Sequence, residues 1–100
     1  MDRLYIKSRH LDMLINIFKN YCPDAEIWAY GSRIKDYAHD GSDLDLVVKT
    51  FNSGEKYLYE LKEFLQNSNI PFCVDINEFD KLPQYFQTEI LKDYVKIFPV

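Results

Sequence analysis

The chain has 100 residues, a formal net charge of −4, 47% apolar positions and 16% aromatic ones. That is enough apolar material for one ordered core and too little length for two, which excludes a disordered chain and predicts a single domain over residues 1–100. The excess of acid argues against long nucleic acid as a ligand, since binding it requires a dense basic surface.

In chain order, Ser8 fits a helix N-cap, because Leu11, Leu14, Ile15 and Phe18 follow at helical spacing until Pro23 and Asp24 close the segment. Glu26–Tyr30 reads as a short strand running straight into Gly31-Ser32, and residues 32–38 fit a helical turn. Asp40-Gly41-Ser42 signals a turn. Asp43-Leu44-Asp45-Leu46-Val47-Val48 begins with the alternation of a half-buried strand, which Asn52-Ser53-Gly54 breaks. Leu58, Leu61, Phe64 and Leu65 then mark one face of a helix ending near Asn67-Ser68-Asn69. Pro71 opens a third strand, Phe72–Ile76. A last helix after Pro83 carries Phe86, Ile90 and Leu91, and Val95–Phe98 adds an edge strand. Helices alternating with a few short strands predict an α/β (α+β) fold, a small mixed sheet with helices packed on it. Phe18, Phe64 and Phe86 are expected in the core, Trp28 and Tyr30 as strand packing beside the site, His10 on a helix surface and His39 in a loop.

No apolar run approaches the roughly 20 residues that span a bilayer, and Met1–Tyr5 lacks the shape of a secretion signal, so no membrane partner and a cytoplasmic location are expected. Cys22 and Cys73 are far apart and outside any CxxC pair, which predicts reduced thiols.

The chemistry concentrates in carboxylates on strands, where aspartate is depleted. Asp43 and Asp45 are two apart, so a strand points both to one face and turns Leu44 and Leu46 to the other. Asp75 stands mid-strand between Val74 and Ile76. Three carboxylates on one face repel unless a divalent cation sits among them. Hard oxygen ligands suit Mg²⁺ or Mn²⁺, completed by substrate phosphates and water. Gly31-Ser32-Arg33 supplies a close-approach glycine at a strand end, a hydroxyl and a guanidinium fork, a set suited to a triphosphate, with Lys35 as a further cation.

Gly31-Ser32, ten residues, and then Asp43-Leu44-Asp45, with Asp75 as a later lone strand aspartate, resembles the signature of the DNA polymerase beta-like nucleotidyltransferase superfamily. The fuller string, Tyr30-Gly31-Ser32-Arg33 followed by Gly41-Ser42-Asp43-Leu44-Asp45-Leu46-Val47-Val48, is similar to its smallest branch, the MNT proteins, which act as antitoxins beside a HEPN-domain ribonuclease. The resemblance implies that Asp43, Asp45 and Asp75 are catalytic and hold the metal, with Asp75 helping to activate the acceptor hydroxyl. It implies that Gly31, Ser32 and Arg33 bind the nucleotide, ATP. It further implies a HEPN toxin as partner and AMP transfer onto one of its tyrosines. Lys35-Asp36 replace a glycine usual in MNT relatives, and His39-Asp40 stand where those relatives tend to have a basic residue and a proline. Two other readings fit the same residues: modification of a small molecule, as by the aminoglycoside-modifying relatives, and an antitoxin that acts by contact alone.

Overall fold

The computed structural model describes residues 3–39, 41–50 and 55–99. Helix α1 covers Ser8–Tyr21, strand β1 covers Glu26–Tyr30, and a single 3₁₀ turn covers Gly31–Ile34. Strand β2 runs Leu44–Thr50, helix α2 Glu55–Gln66 and strand β3 Val74–Glu78. A second 3₁₀ turn, Phe79–Lys81, leads to helix α3 at Gln84–Lys92 and strand β4 at Val95–Phe98. The sheet is four-stranded in the order β3-β2-β1-β4. β1 is antiparallel to β2 and β4, while β2 and β3 are parallel and joined through α2, so the sheet is mixed as expected.

Alternation divides the strand side chains between two faces. Ile27, Ala29, Leu44, Leu46, Val48, Ile76 and Ile97 point to the face covered by α1 and α2, where they meet Leu14, Phe18, Leu61 and Leu65. Each Val, Leu, Ile or Phe among them, fully buried, contributes about 1.5–3 kcal/mol. The other face holds a much smaller cluster, Trp28, Val47, Phe79 and Ile90, capped by Leu82 and Phe86. Trp28 stacks on Tyr94 with ring centroids 4.2 Å apart and donates its indole N–H to Glu26 Oε2 at 2.6 Å. Nine-residue α3 covers only this half of the second face.

Several local expectations are corrected. Lys7, not Ser8, occupies the N-cap position of α1, and no side chain caps the helix there. The turn expected over 32–38 closes after Ile34, and the second and third strands begin at Leu44 and Val74. Phe64 is 43% exposed and leans on Tyr21 (centroids 5.0 Å apart), and Leu91 is likewise exposed. His10 is buried, edge-on to Phe72, instead of lying on the helix surface. The thiols are free, Cys22 buried and Cys73 exposed. The break expected at Asn52-Ser53-Gly54 lies outside the described residues. Among the described residues, no helix is long and apolar enough to cross a membrane.

Candidate active site

The second face becomes polar where α3 stops covering it. In the β2–β3 register Asp45 stands directly beside Asp75, and in the β1–β2 register Tyr30 stands opposite Asp45. Strand neighbours are about 4.8 Å apart, so Tyr30, Asp45 and Asp75 form a row across three strands on one face. Asp43 lies two residues before Asp45 at the mouth of β2. Asp43 and Asp75 are exposed and Asp45 is half-buried.

The electrostatics follow from this crowding. Partial burial, then the Asp75 charge and then the Asp43 charge raise the Asp45 carboxyl above its ordinary range. The Tyr30 phenol is pushed up to about 12 by burial first and then by Asp45 and Asp75. Asn77, next on the same face of β3, donates its amide to Asp75 Oδ2 at 3.3 Å, and Lys62 Nζ donates to Asn77 Oδ1 at 3.4 Å. Sequence reasoning missed Asn77, although its spacing of two from Asp75 on one strand was the available signal.

Gly31 completes the site from the end of β1. Its φ of +78° lies in the left-handed region, and a β-carbon there would stand 2.6 Å from Asp45 Oδ2. The glycine is therefore demanded twice, by the turn and by the carboxylate lodged against it. The 3₁₀ turn that it opens has only four residues, so its dipole is small. Ser32 is half-buried in that turn, and its carbonyl accepts the Lys35 N–H at 3.0 Å.

The two basic residues expected at a phosphate both have partners within the protein. Arg33 is only 5% exposed. Its Nε donates to the Ser42 carbonyl at 3.0 Å, its Nη1 donates to the Tyr5 carbonyl at 3.1 Å, and its guanidinium lies 4.3 Å from the Phe72 ring centroid. Lys35 is ion-paired with Asp93, which also pairs with Arg3; the Lys35 hydrogen bond, and then that of Arg3, hold the Asp93 carboxyl below its usual range. Arg33 also lines a cleft of about 610 Å³ on the α1 side with Tyr5, Lys7, Arg9, His10 and Phe72, and none of the three aspartates borders it.

The donor set of Asp43, Asp45 and Asp75 is all hard oxygen, and its mutual repulsion is what a divalent cation relieves, so the residues fit such an ion. Among the described residues, however, no three His, Cys, Asp or Glu side chains close around a common point as a ready-made cage.

Comparison with known proteins agrees with this geometry. Residues 12–99 match the family model described as "Polymerase beta, Nucleotidyltransferase". The chain is 34% identical over 96 residues to the probable protein adenylyltransferase MntA of Haemophilus influenzae, covering 95% of this chain and 84% of that protein. It is also 29% identical over 85 residues to poly(A) RNA polymerase protein 1 of Saccharomyces cerevisiae, which covers 82% of this chain but 13% of that much longer one. A carboxylate row seated against a strand-end Gly-Ser, over nearly the whole chain and in a mixed four-stranded sheet, makes this enzyme an MNT-type minimal member of the polymerase beta nucleotidyltransferase family.

Proposed function

We propose that this nucleotidyltransferase moves AMP from ATP onto a tyrosine hydroxyl of a partner HEPN-domain toxin in the cytoplasm, and so acts as its antitoxin. The observation that carries the transferase chemistry is the side-by-side register of Asp45 and Asp75 with Gly31 pressed on Asp45. The protein character of the acceptor is supported by the likeness to a probable protein adenylyltransferase.

Asp43 and Asp45 would hold Mg²⁺, with Asp75 sharing it, and triphosphate oxygens and water would complete its ligands. The bound cation supplies charge neutralisation at the phosphates and relieves the repulsion between the carboxylates. Gly31 and Ser32 offer backbone and hydroxyl donors to the terminal phosphates. Asp75 accepts the proton of the acceptor hydroxyl, held in orientation by the Asn77 amide. The hydroxyl oxygen then forms a bond to the α-phosphorus, the bond to the β-phosphate oxygen breaks, and pyrophosphate leaves. Little covalent machinery is needed, because such transfer depends mainly on positioning and charge neutralisation.

The test is to incubate the protein with α-labelled ATP, Mg²⁺ and lysate of its source organism, beside an Asp43→Ala/Asp45→Ala control. A labelled protein band that the control lacks supports protein AMPylation, and identifying the band tests for a HEPN domain and a modified tyrosine. Label confined to a small molecule would replace the protein acceptor with a metabolite or drug. Equal labelling in both samples would refute the catalytic assignment of the two aspartates.

A further inference from the structure

Two contacts of the Arg33 side chain brace segments that carry a catalytic carboxylate. Its Nε holds the carbonyl of Ser42, the residue immediately before Asp43. Its guanidinium lies over Phe72. Phe72 is followed by Cys73, whose carbonyl accepts the Leu44 N–H at 2.8 Å, between Asp43 and Asp45, and Asp75 comes two residues later. Its contact with Tyr5 secures the brace itself. Tyr5 N–H donates to the Arg33 carbonyl at 2.7 Å while Nη1 donates back to the Tyr5 carbonyl, pinning residues 4–6 beside the turn.

We infer that Arg33 is a positioning residue that sets the placement of Asp43 relative to Asp75, and does not act as a phosphate contact. This rests on the carboxylate roles proposed above. A charge this deeply buried is costly unless bonded, and a planar fork is the group that reaches two carbonyls and an aromatic face at once. Its surroundings agree, because the cleft it borders is lined by Lys7, Arg9 and His10 and by none of the three aspartates. Gly31-Ser32-Arg33 therefore divides its labour. The glycine admits Asp45, and the arginine two residues later locks the segment that presents Asp43.

The discriminating variant is Arg33→Lys, which keeps the charge and loses the fork. Three quantities are read on the folded protein: Mn²⁺ affinity with a non-hydrolysable ATP analogue at saturation, analogue affinity in EDTA, and the amide resonances of Asp43 and Val74. A residue that orients metal ligands typically alters metal affinity by 10–100-fold when changed, so Mn²⁺ affinity should fall about tenfold. Metal-free analogue affinity should stay near the wild-type value, and the two resonances should move. Weaker metal-free analogue binding with Mn²⁺ affinity preserved would overturn the inference in favour of a phosphate contact. A lower melting temperature with both affinities and both resonances unchanged would overturn it in favour of a purely structural role. Phe72→Leu, which leaves the Arg33 hydrogen bonds to Ser42 and Tyr5, is the milder second variant should Arg33→Lys not fold, with the same direction expected and an unchanged Mn²⁺ affinity counting against the inference. Absence of label transfer by the wild-type chain would refute the acceptor reading and leave this comparison intact, since metal and analogue binding need no acceptor.

Discussion

Replacing Gly31 separates two demands that fall on one residue. Alanine at φ +78° costs about 1–2 kcal/mol, because its β-carbon crowds the following carbonyl. In a domain of this size that lowers the melting temperature by about 4–8 °C for each kcal/mol. The new β-carbon would stand 2.6 Å from Asp45 Oδ2, where ordinary contact begins at 3.4 Å. Because the clash is with the far end of a side chain, Asp45 can swing away at small cost to stability, so the penalty appears in the chemistry. A displacement approaching 1 Å within a reacting constellation costs about 10²-fold in rate. Gly31→Asn isolates the second effect, since asparagine tolerates the left-handed conformation but carries the same β-carbon. The expected pattern is a Gly31→Ala variant that is both less stable and slower, and a Gly31→Asn variant that regains much of the stability and stays slow. Thermal unfolding followed by Trp28 fluorescence and initial rates of label transfer from ATP measure the two halves. A Gly31→Asn enzyme with wild-type turnover would refute the reasoning, reducing the glycine to a turn residue.

Asp45 is harder to ionise folded than unfolded, so its contribution is fully present at pH below the ordinary carboxylate range and lost as pH rises through its raised folded value. Melting temperature in EDTA should therefore fall with rising pH more steeply in the wild type than in Asp45→Asn. Added Mg²⁺ should restore the wild type at neutral pH and leave the variant nearly unmoved; equal slopes in EDTA would refute the crowding argument. Tyr30 should titrate at about 12 instead of 10.0, with its stabilising share lost as pH rises through that interval, and Asp75→Asn should bring the value down in a ring-carbon NMR titration. On α2, Leu61→Ala should cost about 2–5 kcal/mol in chemical denaturation, whereas Phe64→Ala, at an exposed site, should cost less than about 1 kcal/mol.

The parts of the site legible in the sequence are those governed by short periodicities. Side-chain direction in a strand depends on parity alone, so the pairing of Asp43 with Asp45 on one face survived a one-residue error in where β2 begins. Asp75 likewise kept its face although β3 starts at Val74 and not Phe72. The partners were less legible, because register between separate strands is a tertiary property. Nothing local to Asp45 announces that Asp75 lies beside it or that Tyr30 lies opposite. The contacts of Arg33 were illegible for the same reason. An arginine after Gly-Ser looks identical in sequence whatever it faces, and only the fold brings it to Tyr5. His10 is different: it precedes Leu14 by one helical turn and shares its buried side, so the period was readable and only its polar type obscured it. The same logic explains why the chemistry sits where it does. Alternation in β1, β2 and β3 furnishes two faces, and α1 and α2 are long enough to cover one of them. α3 has residues enough only for the Trp28–Val47 half of the other, so the uncovered half is where partly hydrated carboxylates can be held beside one another.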